Sequence, residues 1–133
     1  MNSLLTRQSY GRLALALLAA LIGVAVARYI ADRQPASIYD IPIHPEAAEI
    51  FTSEPDPSGC RSMSYRVDGG TPGAIQEYYR KIMLQKGWLG GGDTNYPIPL
   101  LFVRKVPGTF QSLTLSIQSR QTGPNVVARL CDS

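Results

Sequence analysis

A chain of 133 residues holds one ordinary domain at most, and 44% hydrophobic against 17% charged side chains exclude both a disordered chain and one wholly embedded in a membrane. The net charge of +3 resides in residues 1–33, where Arg7, Arg12, Arg28 and Arg33 stand against Asp32 alone, while the remaining residues sum to zero. The basic excess is therefore a topology signal and not a nucleic-acid footprint, which would sit on the folded domain.

Leu13 to Ala27 reads LALALLAALIGVAVA, without a polar side chain. It is apolar all round, unlike an amphipathic helix of a soluble protein. Arg7 and Arg12 precede it, which by the positive-inside rule holds the N-terminus in the cytoplasm and the rest outside. Two readings fit. The first is a signal anchor whose apolar core runs over residues 13–31, with Arg28 reaching back to the headgroups and Tyr29 at the interface. The second is a signal peptide cleaved after Ala27, at the small-residue pattern Ala25-Val26-Ala27. No Cys stands directly after the apolar run, so a lipid-modified N-terminus is not indicated.

Residues 34–57 carry Pro35, Pro42, Pro45, Pro55 and Pro57 and are expected to form a stiff linker. Ile41 to Ala47 is apolar enough to lie against the domain that follows, at residues 58–133. Cys60 to Val67 alternates Met63, Tyr65 and Val67 with Ser62, Ser64 and Arg66, the period of a half-buried strand. Asp68-Gly69-Gly70 ends it.

A helix is expected next. Thr71 suits the N-cap, Pro72 the first helical position and Gly87 the residue past the C-cap. Ile75, Tyr78, Tyr79, Ile82 and Met83 form the buried stripe, and Gln76, Glu77, Arg80 and Lys81 the wet face. Trp88 is expected to fold back onto the helix end. Gly90 to Asp93 reads as a loop; it lacks the Gly-Lys-Ser/Thr ending of a phosphate loop. Strands follow at Leu100–Val106, at Phe110–Ser119 with Leu113, Leu115 and Ile117 on one side, and at Val126–Cys131, separated by turns at Pro107-Gly108 and Thr122 to Asn125. The expected class is α+β: an N-terminal membrane or signal helix, then about four antiparallel strands in the order β-α-β-β-β with one helix on one face.

Cys60 and Cys131 are the only cysteines, and both follow the apolar segment, which favours a disulfide in an oxidising compartment over two buried thiols. Such a bridge would set the start of the first strand beside the end of the last. Two distant cysteines and the single His44 do not make a metal site.

The pattern resembles a group of small bacterial exported or membrane-anchored proteins and lipoproteins of unknown function. These share a proline-bracketed P-x-[YH]-P-x-A segment, here Pro42 to Ala47, a strand ending in Tyr-x-Val, here Tyr65 to Val67, and an [FY]Y-x(7)-GW helix, here Tyr78-Tyr79 to Gly87-Trp88. The resemblance covers residues 40–120 and implies export and the order of elements. It carries over no catalytic residue.

Little in the chain points to chemistry. His44 lacks a clustered Ser, Cys or carboxylate partner and reads as packing at the domain edge. Glu46 and Glu49 read as solvated turn carboxylates. Tyr79, Arg80, Lys81 and Trp88 are the candidate partner or ligand surface, with core packing as the alternative for the aromatic pair. The expectation is a non-enzymatic accessory domain without cofactor, held at the membrane through residues 13–31 and contacting another envelope or membrane protein. The second reading is a binding domain for a small apolar or envelope ligand, with a cavity near Tyr79, Trp88 and Phe102. Exposed positions at Thr114, Ser116 and Gln118 would favour interaction through the sheet's face over a pocket.

Overall fold

The structure, a computed structural model, describes residues 2–133. The chain divides into two compact units, one ending at Gln34 and one beginning at Pro35. The first is helix α1, Asn2–Arg33. Within it Ser9–Ile30 is long and apolar enough to cross a membrane, about 33 Å at 1.5 Å per residue, and a signal sequence meets the same description.

The second unit is α+β. Its strands are β1 (Ala47–Thr52), β2 (Arg61–Val67), β3 (Leu89–Gly90), β4 (Leu100–Val106), β5 (Thr109–Arg120) and β6 (Gly123–Asp132), with helix α2 (Pro72–Gln85) between β2 and β3. All pairings are antiparallel, in one sheet of order β1-β2-β6-β5-β4-β3. The sheet thus has six strands where four were expected. The four expected ones are its interior, and each edge gains one short strand.

Alternation decides which face is inner. Met63, Tyr65 and Val67 of β2, Val126, Ala128 and Leu130 of β6, Leu113, Leu115 and Ile117 of β5, and Leu100 and Phe102 of β4 all join one buried cluster. The cysteine-based expectation for strand order holds: β2 pairs with β6, with Arg61 opposite Leu130, and the Cys60–Cys131 disulfide closes that end with the two Cα atoms 4.3 Å apart.

Helix α2 lies on the inner face, with Ile75, Tyr79 and Met83 in the cluster. Its caps are those the sequence indicates. Thr71 accepts the Ala74 N–H, and at the other end the Gly87 and Trp88 N–H groups reach back to the Leu84 and Met83 carbonyls with Gly87 at φ +86°. That turn drops Trp88 into the core, 3% exposed. Gln76, expected in water, is buried, and its Nε2 donates to the Ile98 carbonyl at 2.8 Å, tying the 93–99 loop to the helix.

The expected linker at residues 34–57 is largely part of the domain. Ser37 caps a 3-10 turn at Ile38–Asp40, Ile38 and Ile41 are buried, and β1 joins the sheet. Three tyrosines hold the proline-bracketed segment: Tyr79 Oη donates to the Pro42 carbonyl (2.9 Å), Tyr78 Oη donates to the Ile43 carbonyl (3.3 Å), and Tyr65 Oη accepts the His44 N–H (3.3 Å). Burial pushes the Tyr65 and Tyr78 phenols above their ordinary range, so the contacts those two make are made by neutral tyrosine.

The loop before β2 is organised by one carboxylate. Asp56 Oδ1 accepts from Ser58 N–H, Ser58 Oγ and Cys60 N–H, and its Oδ2 pairs with Arg129 at 2.9 Å. The Ser58 hydroxyl and the Arg129 guanidinium hold its pKa down at about 2. The folded value lies below the unfolded one, so this contribution is present above pH 4 and is lost as the pH falls toward 2. Between pH 5 and pH 2 the urea midpoint should therefore fall more steeply in the native chain than in Asp56→Asn. Parallel curves would mean that the loop does not depend on this charge.

Candidate functional site

The sites singled out from sequence do not assemble. Tyr79 and Trp88 are 1% and 3% exposed, so neither offers a surface. Phe102 is fully buried beside them, so these three present no mouth for an apolar ligand. Gly91 is closed down as well, since an added Cβ would stand 2.8 Å from the Phe102 ring. Arg80 is a structural pin. Its Nε donates to the Gly92 carbonyl at 3.1 Å and its Nη1 pairs with Glu77, while Nη2 is buried with no partner among the described residues. Lys81 alone remains exposed. His44 packs its ring edge-on to Tyr78, with centroids 4.8 Å apart, and its Nδ1 accepts the Glu46 N–H. Among the described residues no group of three His, Cys, Asp or Glu side chains could hold a metal ion.

The surface that stands out is the outer face of the sheet. Both non-strand elements of this unit, the 3-10 turn and α2, put their buried apolar residues into the inner-face cluster. Register gives the outer face its composition. One row runs Phe51, Ser64, Val127 and Ser116 across β1, β2, β6 and β5; the next runs Ser62, Arg129, Thr114 and Leu101 across β2, β6, β5 and β4. A third is Arg66, Asn125 and Gln118. The centre sets the half-buried hydroxyls of Ser62, Ser64, Thr114 and Ser116 on either side of Val127 and the exposed Arg129, which is paired with Asp56, and the flanks are apolar, with Phe51 67% and Leu101 56% exposed. Leu89, opposite Val103 on β4, extends the apolar flank.

At the β1 side this face dips into an open groove of about 480 Å³. Its floor includes Ser62, Ser64 and Val127, and Phe51 stands on one side with Gln118, Arg120 and Thr122 on the other. A bulge in β1 shapes it. Ala48 faces Arg66 and Phe51 faces Ser64, so three steps on β1 match two on β2. The extra residue places Phe51 on the outer face, and Glu49 adopts φ +54° to accommodate it. Glu49 then pairs with Arg66 Nη1 at 3.4 Å, while Arg66 Nε is held by Asp68 at 2.9 Å.

The alternation in β5 marks Thr114, Ser116 and Gln118 as outward positions, so the existence of this face could be read from sequence. The groove could not, because it depends on β1 and its bulge. Compared with family models, curated proteins and solved structures, the chain matches none of them.

Proposed function

We propose that the chain is a non-enzymatic accessory domain, held at a membrane by α1 with the domain outside, which docks onto another envelope or membrane protein through the outer face of its sheet. The observation that carries this reading is the uncovered face itself. It is continuous over five strands, has short hydroxyl side chains around Arg129 and Val127 at its centre and large apolar ones at its flanks. A soluble domain gains nothing by leaving Phe51, Leu89 and Leu101 in water, and apolar flanks around a centre of hydroxyls and one arginine suit a protein contact. The length and apolarity of Ser9–Ile30, together with a disulfide, support a place at the outer side of a membrane. The alternative apolar ligand between helix and sheet loses its support, because the residues meant to line that cavity are packed in the core.

A photo-crosslinking side chain at Thr114, in the full chain in its native membranes, should yield a discrete protein adduct, and one at Lys81 on the exposed side of α2 should not. Absence of an adduct at Thr114, or the same adduct from both positions, would overturn the docking face.

A further inference from the structure

The groove at the β1 side of the outer face has a lining that suits neither an apolar ligand nor an extended peptide. Phe51 and Val127 are the only apolar side chains of its lining, whereas pockets for drug-like apolar ligands are mostly apolar with few polar groups. An extended peptide would look for backbone partners, but the N–H and C=O groups of β2 and β6 are used within the sheet, with β2 paired on both sides and β6 likewise. What the groove offers instead is side-chain chemistry. One aromatic ring stands at the wall, hydroxyls and the Asn125 amide lie across the floor, and two guanidiniums line the same space.

Both guanidiniums have capacity to spare. Arg66 is oriented by Glu49 and Asp68, contacts made through Nη1 and Nε, which leaves its Nη2 edge. Arg120 makes a single hydrogen bond among the described residues, from Nη2 to Gln118 Oε1 at 3.1 Å, and is exposed. Glu49, the acid on the groove, already answers Arg66. With Asp68 also on Arg66, Arg120 is the lining cation that no carboxylate answers among the described residues. The bulge adds an independent sign of construction. A non-glycine residue held at φ +54° is a cost that β1 bears, and the result is that Phe51 stands across the groove from Arg120.

We propose that this groove binds a saccharide bearing a carboxylate, such as a uronic-acid unit. The apolar C–H face of a pyranose ring packs on Phe51 by dispersion. Its hydroxyls exchange hydrogen bonds with Asn125, Ser64 and Gln118. Its carboxylate takes the fork of Arg120, a charge-assisted contact of the bidentate kind. The groove's volume of about 480 Å³ is of a size to seat a short saccharide. This ligand goes beyond the docking proposal and uses one end of the same face.

The test is titration of the full chain, in nanodiscs of zwitterionic phosphatidylcholine, with oligogalacturonate, with a neutral maltooligosaccharide and with a poly-glutamate peptide. Oligogalacturonate should bind, more weakly as salt rises. Its dissociation constant should increase about tenfold in Arg120→Gln and by a similar factor in Phe51→Thr, a change that keeps a strand-forming residue at the site. Lys81→Gln should leave it unchanged, and the neutral oligosaccharide should bind at least about tenfold less tightly. No binding of oligogalacturonate overturns the proposal, as does binding that neither groove variant weakens. Poly-glutamate binding as tightly, with the same dependence on Arg120 and Phe51, would overturn the saccharide in favour of an acidic peptide. The Thr114 crosslink is read separately, so failure here with the adduct intact removes the ligand and leaves the docking face standing.

Discussion

Replacing Cys60 and Cys131 together by alanine is expected to lower the unfolding free energy of the sheet domain by about 4 kcal/mol. The two residues lie 71 positions apart, so the bridge removes a large closed loop from the unfolded ensemble. A domain of this size holds only about 5–15 kcal/mol in all, so the loss would bring it near its limit. The position of the bridge adds to its effect, since it pins one end of the β2–β6 pairing at the middle of the sheet. Trp88 is the sole tryptophan and is buried in this domain, which makes its fluorescence a report on the domain even with α1 in a micelle. In urea the double variant should unfold well before the oxidised chain. A reductant should bring the native chain to the same midpoint and leave the variant where it is. Overlapping curves for the variant and the oxidised native chain would show that the sheet does not rely on the bridge.

Gln111→Leu should cost about 3 kcal/mol although it exchanges a polar side chain for an apolar one of similar volume. Gln111 sits on the inner face with no solvent exposure. Its Oε1 accepts the Ala36 N–H at 2.8 Å, and its Nε2 donates to the Ala36 carbonyl at 2.9 Å and to Asp132 Oδ1 at 2.7 Å. Leucine would leave both backbone groups of Ala36 without their partner in a part-buried place. The segment that follows carries Ile38 and Ile41 into the core, so its grip on the sheet should loosen as a unit. Hydrogen exchange distinguishes this from a general loss of stability. Amides of residues 36–41 should exchange much faster in the variant, while those of α2 and the centre of β5 keep most of their protection. Uniform acceleration across the domain would show that Gln111 is a core residue and not a clamp on this segment.

The parts of the fold legible in the sequence are those where one face is wet and one is dry. Met63-Tyr65-Val67 and Leu113-Leu115-Ile117 declare their strands because alternation is regular over several residues. The helix was bounded by chemistry at both ends, in Thr71-Pro72 and Gly87-Trp88. β1 escapes such reading because its bulge breaks the alternation and four of its six residues are exposed, so Ala47 to Thr52 shows no dry side. β3 is two residues before a run of glycines and exists only because Leu89 and Gly90 lie against β4. Gln76 and Gln111 were illegible for another reason. A buried amide is tolerated where backbone carbonyls and N–H groups happen to converge, and that convergence is a property of the folded chain. The same holds for the candidate site. Outward hydroxyls on β5 could be anticipated, but the groove requires Phe51 and Arg120, from strands 69 positions apart, to face each other across β2 and β6.

The strand order also governs when this domain can form. β6 follows every other strand in sequence, yet it lies between β2 and β5 in the middle of the sheet. Until residues 123–132 are available, no strand pairing joins the β1–β2 hairpin to the β3–β4–β5 group. Each then carries a bare strand edge able to pair with a foreign chain. Closure is thus a single late event that brings together positions as far as 69 residues apart, as in Arg61 opposite Leu130. Folding should be slow for a domain of this size and all-or-none at that step, and the nascent chain should need protection from aggregation up to the moment its last strand is inserted.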